Sequence, residues 1–254
     1  MTAGFTALVL AGSRGGADAV ADYAGVSHKA LIVLDGRTLI HRVLDALDAA
    51  GAARIIVSTH DAGVAAELAR IKTRAAVTRI DAAASPSASV LEAAEKVGTP
   101  LLVTTADHAL LQPEWVTRFL DDAPQGADIA VLLASEAVVT AAARTKRTYL
   151  AFVDGRYSGC NLFLLRNPQA LNAIAFWRRV EAQRKAPWKM ALTVGPIMLV
   201  RYALKMLTLD GMIAQLGRRA GATAAAVRSP FGLAAVDVDK PSDLDLVRKL
   251  VETA

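Results

Sequence analysis

Uninterrupted apolar stretches alternate with stretches of helical periodicity along the first half of the chain, and this alternation constrains the fold more than any other feature. Residues 5–10 (FTALVL), 54–59 (RIIVST) and 101–105 (LLVTT) show little polar alternation, as expected of strands that are buried on both faces of a parallel sheet. Apolar residues at helical spacing fill segments between them, such as 39–50 and 62–71. Strands and helices that take turns in this way predict right-handed βαβ units and a mostly parallel central sheet.

The second half of the chain is less regular. Strands are predicted at 148–153, 161–165, 224–227 and 234–238, and helices at 171–185, 209–220 and 242–251. No repeat or linker separates the two halves. We therefore predict a three-layer α/β/α, Rossmann-like domain over 1–254, with a nucleotide-binding half (1–135), an acceptor-binding half (136–254) and a helical insertion at about 171–220.

Composition narrows the classes of function. The net charge of +5 over 254 residues, with no run of Lys or Arg longer than two, fits an enzyme for anionic substrates and argues against nucleic acid as a partner. Cys160 is the only cysteine, so no internal disulfide can form. Residues 1–10 carry no basic signal-peptide region, and no stretch reaches the roughly 20 apolar residues that cross a bilayer. We expect a cytoplasmic protein.

A glycine-rich loop follows the first strand at 10–16 (LAGSRGG). Glycine lets a backbone approach a phosphate closely, and free N–H groups at the start of a helix attract anions. The spacing is neither that of the dinucleotide-binding GxGxxG motif nor that of a Walker A motif. On its own, the loop fits an ordinary strand-to-helix turn equally well.

Carboxylates follow two of the predicted strands. Asp107 comes directly after the strand 101–105, where α/β folds place their ligands, although a turn that caps a helix is the alternative. Asp237 and Asp239 lie in the segment 236–244 (VDVDKPSDL), and in a strand their side chains would point to one face. Asp243 is expected to act as an acid at the N-terminus of the last helix.

The chain resembles the MobA-like nucleotidyltransferases, which have a GT-A-like fold. The resemblance lies in four segments in this order: LVLAGSRGG at 8–16, HKALIVLDGRTLIHRVLDAL at 28–47, the strand that ends at Asp107, and VDVDKPSDL at 236–244. The resemblance implies that the loop and Lys29 bind a nucleoside triphosphate (NTP). The loop residues are Leu10, Ala11, Gly12, Ser13, Arg14, Gly15 and Gly16. It also implies that Mg²⁺ is bound by Asp107 and Asp239, with Asp237 as second choice. The sequence departs from the family pattern at Ser13, which replaces a glycine, and at the additional residues 17–27.

The activity implied by the resemblance is Mg²⁺-dependent transfer of a nucleoside monophosphate from an NTP to a phosphorylated small molecule, with release of pyrophosphate. Arg14, Lys29 and Asp107 would be the catalytic residues. Two alternatives remain open: a GT-A glycosyltransferase that uses a nucleotide-sugar, although 107–109 (DHA) is not a DxD motif, and a non-catalytic nucleotide-binding protein, which the altered loop would suit.

Two further pairs of residues are implied in binding. Ser87 and Ser89 lie where the family contacts the nucleoside, although capping of a helix explains Ser89 equally well. Gly159 and Asn161 lie in a segment that resembles the acceptor-binding strand of the family, with a structural turn as the alternative.

The segment 176–206 combines tryptophans, cations and an apolar run. Three interpretations fit it: peripheral contact with an anionic membrane surface such as the inner face of the cell membrane, a lid made of two helices, and the interface of a homodimer.

Overall fold

A computed structural model describes residues 4–13, 18–145, 147–183 and 186–252, except for the side chains of Pro187 and Met190. Its main sheet has eight strands, seven of them in the order β10-β7-β9-β6-β1-β4-β5, with β8 paired to β9. These strands are β1 (Phe5–Leu10), β4 (Ala52–Ser58), β5 (Ala76–Ile80), β6 (Leu101–Thr105), β7 (Ile129–Ser135), β8 (Leu150–Phe152), β9 (Gly155–Leu165) and β10 (Ala224–Ser229). A separate two-stranded ribbon is formed by β2 (Val33–Leu34) and β3 (Arg37–Thr38).

Helices lie on both faces of the sheet. They are α1 (Ala19–Ala24), α2 (Leu39–Ala49), α3 (Ala62–Leu68), α4 (Pro86–Val97), α5 (Pro113–Asp122), α6 (Glu136–Ala142), α7 (Ala170–Ala182), α8 (Pro187–Val194), α9 (Pro196–Ala203), α10 (Leu209–Ala220) and α11 (Pro241–Glu252). Among the described residues, no helix combines the length and the apolarity that a membrane span needs.

Side-chain alternation along the strands divides the core into two layers. In β1, Ala7 and Val9 pack with the apolar residues of α2, α5 and α11, whereas Leu8 packs on the opposite face with α4 and α7. The second face continues beneath α9 and α10, where Leu133 and Tyr157 of the sheet meet Met198 and Leu209. Because every central strand is covered on both faces, its sequence is an unbroken apolar run. The predicted α/β/α architecture is confirmed.

Pairing along the sheet is mostly parallel, but β9 is antiparallel to both of its neighbours, β6 and β7. On β9, residues 160–162 lie opposite the single residue Leu132, because Leu133 pairs with Gly159 and Val131 with Phe163. Asn161 lies in this bulge with a φ of 49°, a left-handed conformation that asparagine adopts more readily than most residues. The bulge aims the Asn161 side chain out of the strand.

The strand predicted at 234–238 is not formed. Gly232–Ala235 is a short 3₁₀ helix, and the residues after it do not join the sheet. The Val238 N–H donates to the carbonyl of Asp107 (3.1 Å), so this segment is bonded to the loop after β6. The apolar alternation of 234–238 therefore reflects burial of Ala234, Val236 and Val238 in the core.

Candidate active site

A cavity of about 370 Å³ opens at the carboxyl ends of β1, β4 and β6. This is the edge at which open α/β sheets bind ligands. The cavity is lined by Leu10, Gly12, Ser13, Asp18, Ala19, Lys29, Ser58, Ala82, Ala83, Ala84, Ser85, Pro86, Ser89, Thr105, Asp107 and Asp239. Among the described residues, the wall thus combines apolar side chains and hydroxyls with the ammonium group of Lys29 and three carboxylates.

Lys29 is held at this cavity by a 3₁₀ helix, Lys29–Leu31. The helix is capped by His28, whose Nδ1 accepts a hydrogen bond from the N–H of Ala30 at 3.1 Å. The ammonium group of Lys29 makes an ion pair with Asp107 and lies 3.5 Å from Asp239. Burial alone would lower the pKa of Lys29, but the charges of Asp107 and Asp239 raise it above its ordinary value. Lys29 is therefore a permanent cation between two acids.

Asp107 is the buried member of this cluster. Asp107 is 7% exposed. Hydrogen bonds fix the backbone on both sides of it: the N–H of Ala106 donates to the carbonyl of Leu10 (3.0 Å), and the carbonyl of Asp107 accepts from the N–H of Val238. Burial would raise the pKa of Asp107, but Lys29 and the nearby Thr105 hydroxyl hold it below the usual range. One carboxylate oxygen, Oδ1, has no well-aligned hydrogen-bond partner among the described residues. Such a buried, charged oxygen retains the capacity to bind a cation or a donor.

Asp239 reaches the same place from the far end of the chain. Its backbone N–H and that of Lys240 donate to the carboxylate of Asp243, at 3.3 and 3.0 Å, which fixes the turn before α11. The Asp239 side chain itself is 59% exposed. Partial burial and the neighbouring charges of Asp237 and Asp107 raise its pKa. A divalent cation would relieve this repulsion between carboxylates.

Asp237 lies apart from the cavity wall. It forms an ion pair with Arg147 and accepts a hydrogen bond from the Asn161 side chain at 2.8 Å. The prediction that Asp237 and Asp239 share one face assumed a strand, and this segment is not one. Arg147 was not singled out from the sequence, because it lies in a loop without a motif. The pKa of Arg147 is raised, since the charge of Asp237 outweighs the effect of burial.

The glycine-rich loop contributes three described residues to the cavity wall: Leu10, Gly12 and Ser13. Ala11 is buried behind them, and its N–H donates to the carbonyl of Ser58 at 2.9 Å. A Cβ at Gly12 would lie 3.3 Å from the Cβ of Ala82, so a side chain there would narrow the cavity. Arg14, Gly15 and Gly16 lie outside the described residues.

The two serines predicted to bind the nucleotide have different surroundings. Ser89 lines the cavity, and its hydroxyl accepts from the N–H of Ala83 at 2.9 Å. Ser87 does not line it; its hydroxyl donates to Glu181 of α7. Ser85 was not predicted, yet it both lines the cavity and caps α4, where it precedes Pro86 at the first helical position. The Ser-Pro pair was a signal for this role.

The two residues predicted to bind the acceptor lie on β9. Gly159 is exposed, and a Cβ added there would meet no atom within 4 Å. Asn161 is bonded to Asp237, two residues before Asp239 along the chain. A polar cluster is thus formed by Asn161, Asp237 and Arg147. It is close to the cavity along the chain, because Asp237 precedes the cavity residue Asp239 by two positions.

The carboxylates of Asp107 and Asp239 are the two groups that would bind a metal ion. Mg²⁺ in phosphoryl-transfer sites takes one or two protein carboxylates and completes its coordination with phosphate oxygens and water. Within the described residues, no group of three or more His, Cys, Asp or Glu side chains is arranged to hold a metal without such additional ligands. The donor set and the unpaired Oδ1 of Asp107 suit an ion that arrives with a phosphate ligand.

Comparison with known proteins identifies the family of the chain. The family model of the MobA-like NTP transferase domain matches residues 7–174, and the chain belongs to this family. The match includes most of β1, the glycine-rich loop, Lys29, Asp107 and Asn161. No curated protein matches the chain significantly.

Solved structures extend the similarity over nearly the whole chain. A hypothetical transferase from Thermus thermophilus is 33% identical, with a TM-score of 0.79 over 95% of this chain and 99% of that one. CMP:2-keto-3-deoxy-manno-octonic acid synthetase complexed with CTP is 18% identical, with a TM-score of 0.58 over 98% and 99%. 2-C-methyl-D-erythritol 4-phosphate cytidylyltransferase from Thermus thermophilus is 18% identical, with a TM-score of 0.53 over 98% and 99%. The last two show the same fold.

Proposed function

We propose that this protein is a nucleotidyltransferase that transfers a nucleoside monophosphate from an NTP to a phosphorylated small molecule and releases pyrophosphate. The observation that carries the proposal is the placement of the Lys29 ammonium between Asp107 and Asp239 at a cavity whose wall includes Gly12. A triphosphate needs cationic groups and a close backbone approach in one place; Lys29 provides one fixed cation at this edge of the sheet, and Gly12 has no side chain to block the approach.

Asp107 and Asp239 would hold Mg²⁺. The ion would supply charge neutralisation on the phosphate oxygens of the bound nucleotide. Asp107 is suited to this role because its pKa is low, so the carboxylate stays ionised at neutral pH. Lys29 would pair with phosphate oxygens, and Arg14, by the family resemblance, would add a second cation.

The reaction we propose is in-line attack by a phosphate oxygen of the acceptor on the α-phosphorus, with pyrophosphate as the leaving group. An acceptor phosphate is already ionised at neutral pH and therefore needs no general base. The buried groups nearby are unsuited to such a role. Burial lowers the pKa of His108 to about 4 and raises that of the Cys160 thiol to about 12.

The acceptor would approach from the side of β9. Asn161 and Gly159 are the residues that the resemblance assigns to it, and the Asn161–Asp237–Arg147 cluster borders the turn that carries Asp239. We expect this reaction in the cytoplasm, because the chain has a single cysteine and so forms no internal disulfide.

Pyrophosphate release is the direct test. Each of the four NTPs is incubated with Mg²⁺ and a panel of sugar, alcohol and pterin phosphates. We expect release that depends on an NTP, an acceptor and Mg²⁺ together, and that chelation with EDTA abolishes. Nucleotide-sugar turnover without NTP turnover would indicate a glycosyltransferase instead.

The Asp107→Asn variant tests the metal-binding role. We expect it to fold and to lose at least about a hundredfold in turnover, because it removes charge at the site where phosphate charge must be neutralised. Asp121→Asn, which changes an exposed acid of α5, is the control and should retain activity. Full activity of Asp107→Asn would exclude the proposed role of this carboxylate.

A further inference from the structure

The helices α7, α8 and α9 present apolar side chains to solvent in a region that also carries an excess of cations. Seven large apolar residues between 177 and 206 are more than half exposed: Trp177, Trp188, Leu192, Ile197, Val200, Leu204 and Met206. We call these seven residues the apolar face. The helices that carry these residues contact one another, α7 with α8 and α8 with α9. A large exposed apolar patch marks a surface that binds a partner or a membrane.

The spacing of these residues places them along common stripes of their helices. On α8, Trp188 and Leu192 are four residues apart. On α9 and just beyond it, Ile197, Val200 and Leu204 follow at intervals of three and four. Residues at these intervals lie above one another on one side of a helix.

The opposite side of α9 is also apolar, and it is the side that packs on the protein. Met198 is buried against the sheet, and the ring of Tyr202 lies 5.6 Å from that of Phe152. Helix α9 is therefore apolar on two sides, although the fold covers only one of them. A helix that is apolar all round normally has both sides buried.

Charge distinguishes among the partners that would cover this face. The segment 176–206 contains seven Lys and Arg residues and a single acid, Glu181, whereas the whole chain has a net charge of only +5. Glu181 is directed away from the apolar face, because its carboxylate accepts the hydroxyl of Ser87 on α4. The cations Arg178, Lys189, Arg201 and Lys205 are all exposed.

Such a surface has the chemistry of an interfacial membrane anchor: apolar side chains for the acyl region, and cations for anionic headgroups. The pairing of Trp188 with Lys189, whose ammonium lies 5.3 Å from the indole centre, supplies an aromatic and a cation at the same depth. Self-association through this face would bring two strongly cationic surfaces together in a two-fold dimer, which disfavours a second copy as the partner.

We infer that the apolar face, with its surrounding cations, docks the protein peripherally onto an anionic lipid bilayer. The inference does not depend on the proposed reaction, because it rests on residues outside the cavity. It also selects one of the three interpretations of the segment 176–206.

Vesicle binding by the full chain, without substrates, tests the inference. Wild-type protein is incubated with vesicles of phosphatidylcholine alone and with vesicles of equal parts phosphatidylcholine and phosphatidylglycerol. We expect sedimentation with the anionic vesicles, at least about tenfold tighter than with the neutral ones and weakened by added salt. Equal binding to both, or no binding to either, would overturn the inference without using any variant.

Two pairs of variants then locate the contact. Ile197→Ser/Leu204→Ser and Lys189→Glu/Arg201→Glu should each weaken binding to the anionic vesicles at least about tenfold. Their matched controls change exposed apolar and cationic residues elsewhere, Val33→Ser/Leu150→Ser and Arg70→Glu/Lys72→Glu, and should bind like the wild type. Equal losses in controls and test variants would count against the location. A wild-type dimer that Ile197→Ser/Leu204→Ser converts to monomers would show that the face binds a second copy instead.

Discussion

At the scale of single residues, Lys29 is the centre of the candidate site. Its ammonium group pairs with Asp107, which is buried, and lies within 3.5 Å of Asp239, which is half exposed. These residues are far apart in sequence, and the strand ends of β6 and the turn before α11 bring them together. Without the ammonium group of Lys29, the carboxylates of Asp107 and Asp239 would lose the positive charge that lies between them.

Replacement of Lys29 by methionine tests this arrangement in the absence of substrate. We expect Lys29→Met to lower the free energy of unfolding by roughly 2 kcal/mol at neutral pH, because Asp107 loses its counter-charge while it stays buried. Mg²⁺ should raise the melting temperature of the variant more than that of the wild type, since the ion compensates the same charges.

Thermal denaturation with and without MgCl₂ measures both effects. Arg37→Met is the matched control, because it breaks an exposed ion pair with Asp45 and should cost less than about 1 kcal/mol. A Lys29→Met protein as stable as this control, and equally indifferent to Mg²⁺, would contradict the assignment of this cluster.

A second prediction at this scale concerns pH. His108 is 1% exposed, and burial lowers its pKa from 6.5 to about 4. Between these values the unfolded chain binds the proton and the folded chain does not, so stability falls as the pH is lowered from 6.5 to 4. In His108→Gln, we expect the free energy of unfolding to decrease over this pH range by about 2 to 3 kcal/mol less than in the wild type. Urea unfolding of the wild type and the variant at a series of pH values measures this difference.

At the scale of secondary-structure elements, α4 determines which serines face the cavity. Ser85 caps the helix, Ser89 lies one turn further on the cavity side, and Ser87 points away toward α7. The helix also links the cavity to the cationic segment, because the Ser87–Glu181 hydrogen bond joins α4 to α7.

The two serines should therefore respond differently to mutation. Ser89→Ala removes the acceptor for Ala83 N–H in the cavity wall, and we expect a roughly three- to tenfold higher KM for the NTP. Ser87→Ala should leave KM unchanged and lower the free energy of unfolding by about 1 kcal/mol. Steady-state kinetics and urea unfolding of both variants separate the effects. A higher KM for Ser87→Ala alone would reverse the assignment.

Many elements could be predicted from sequence because their signals are local. The strand at 101–105 and the helix at 209–220 have the predicted bounds, since each is an apolar run or a periodic segment between clear ends. Capping of a helix was the alternative role for Ser89, but α4 begins at Pro86 and Ser85 is its cap, as the Ser85-Pro86 pair signals.

Features that depend on distant partners could not be predicted in this way. The direction of β9 leaves no trace in its periodicity, because side chains alternate in the same way along a strand of either direction. The segment 234–238 alternates like a strand, but its backbone bonds to the loop at Asp107. The cavity residues Lys29, Asp107 and Asp239 were identified through family resemblance, whereas Arg147 has no such signal and only the fold shows its ion pair with Asp237.

At the scale of the whole molecule, a ligand that binds only the folded state should stabilise the entire chain. With an NTP and Mg²⁺ at about a hundred times the dissociation constant, the gain is about 2.7 kcal/mol, which raises the melting temperature of a protein of this size by roughly 5 °C or more. A thermal-shift screen of the four NTPs, each with and without Mg²⁺, measures this and ranks the bases. Equal melting temperatures in all eight conditions at saturating concentrations would count against an NTP site.

The antiparallel strand β9 has a consequence for synthesis of the chain. It is the only described strand that joins the block β5-β4-β1-β6 to the block β7-β10. Until the residues between Thr105 and Leu165 have been synthesised, β6 is an exposed edge strand of the nascent polypeptide. Such an edge is a template for pairing with other chains. Once β9 has emerged from the ribosome, it pairs with β6 and covers this edge. We therefore expect the nascent chain to need a chaperone most before β9 emerges.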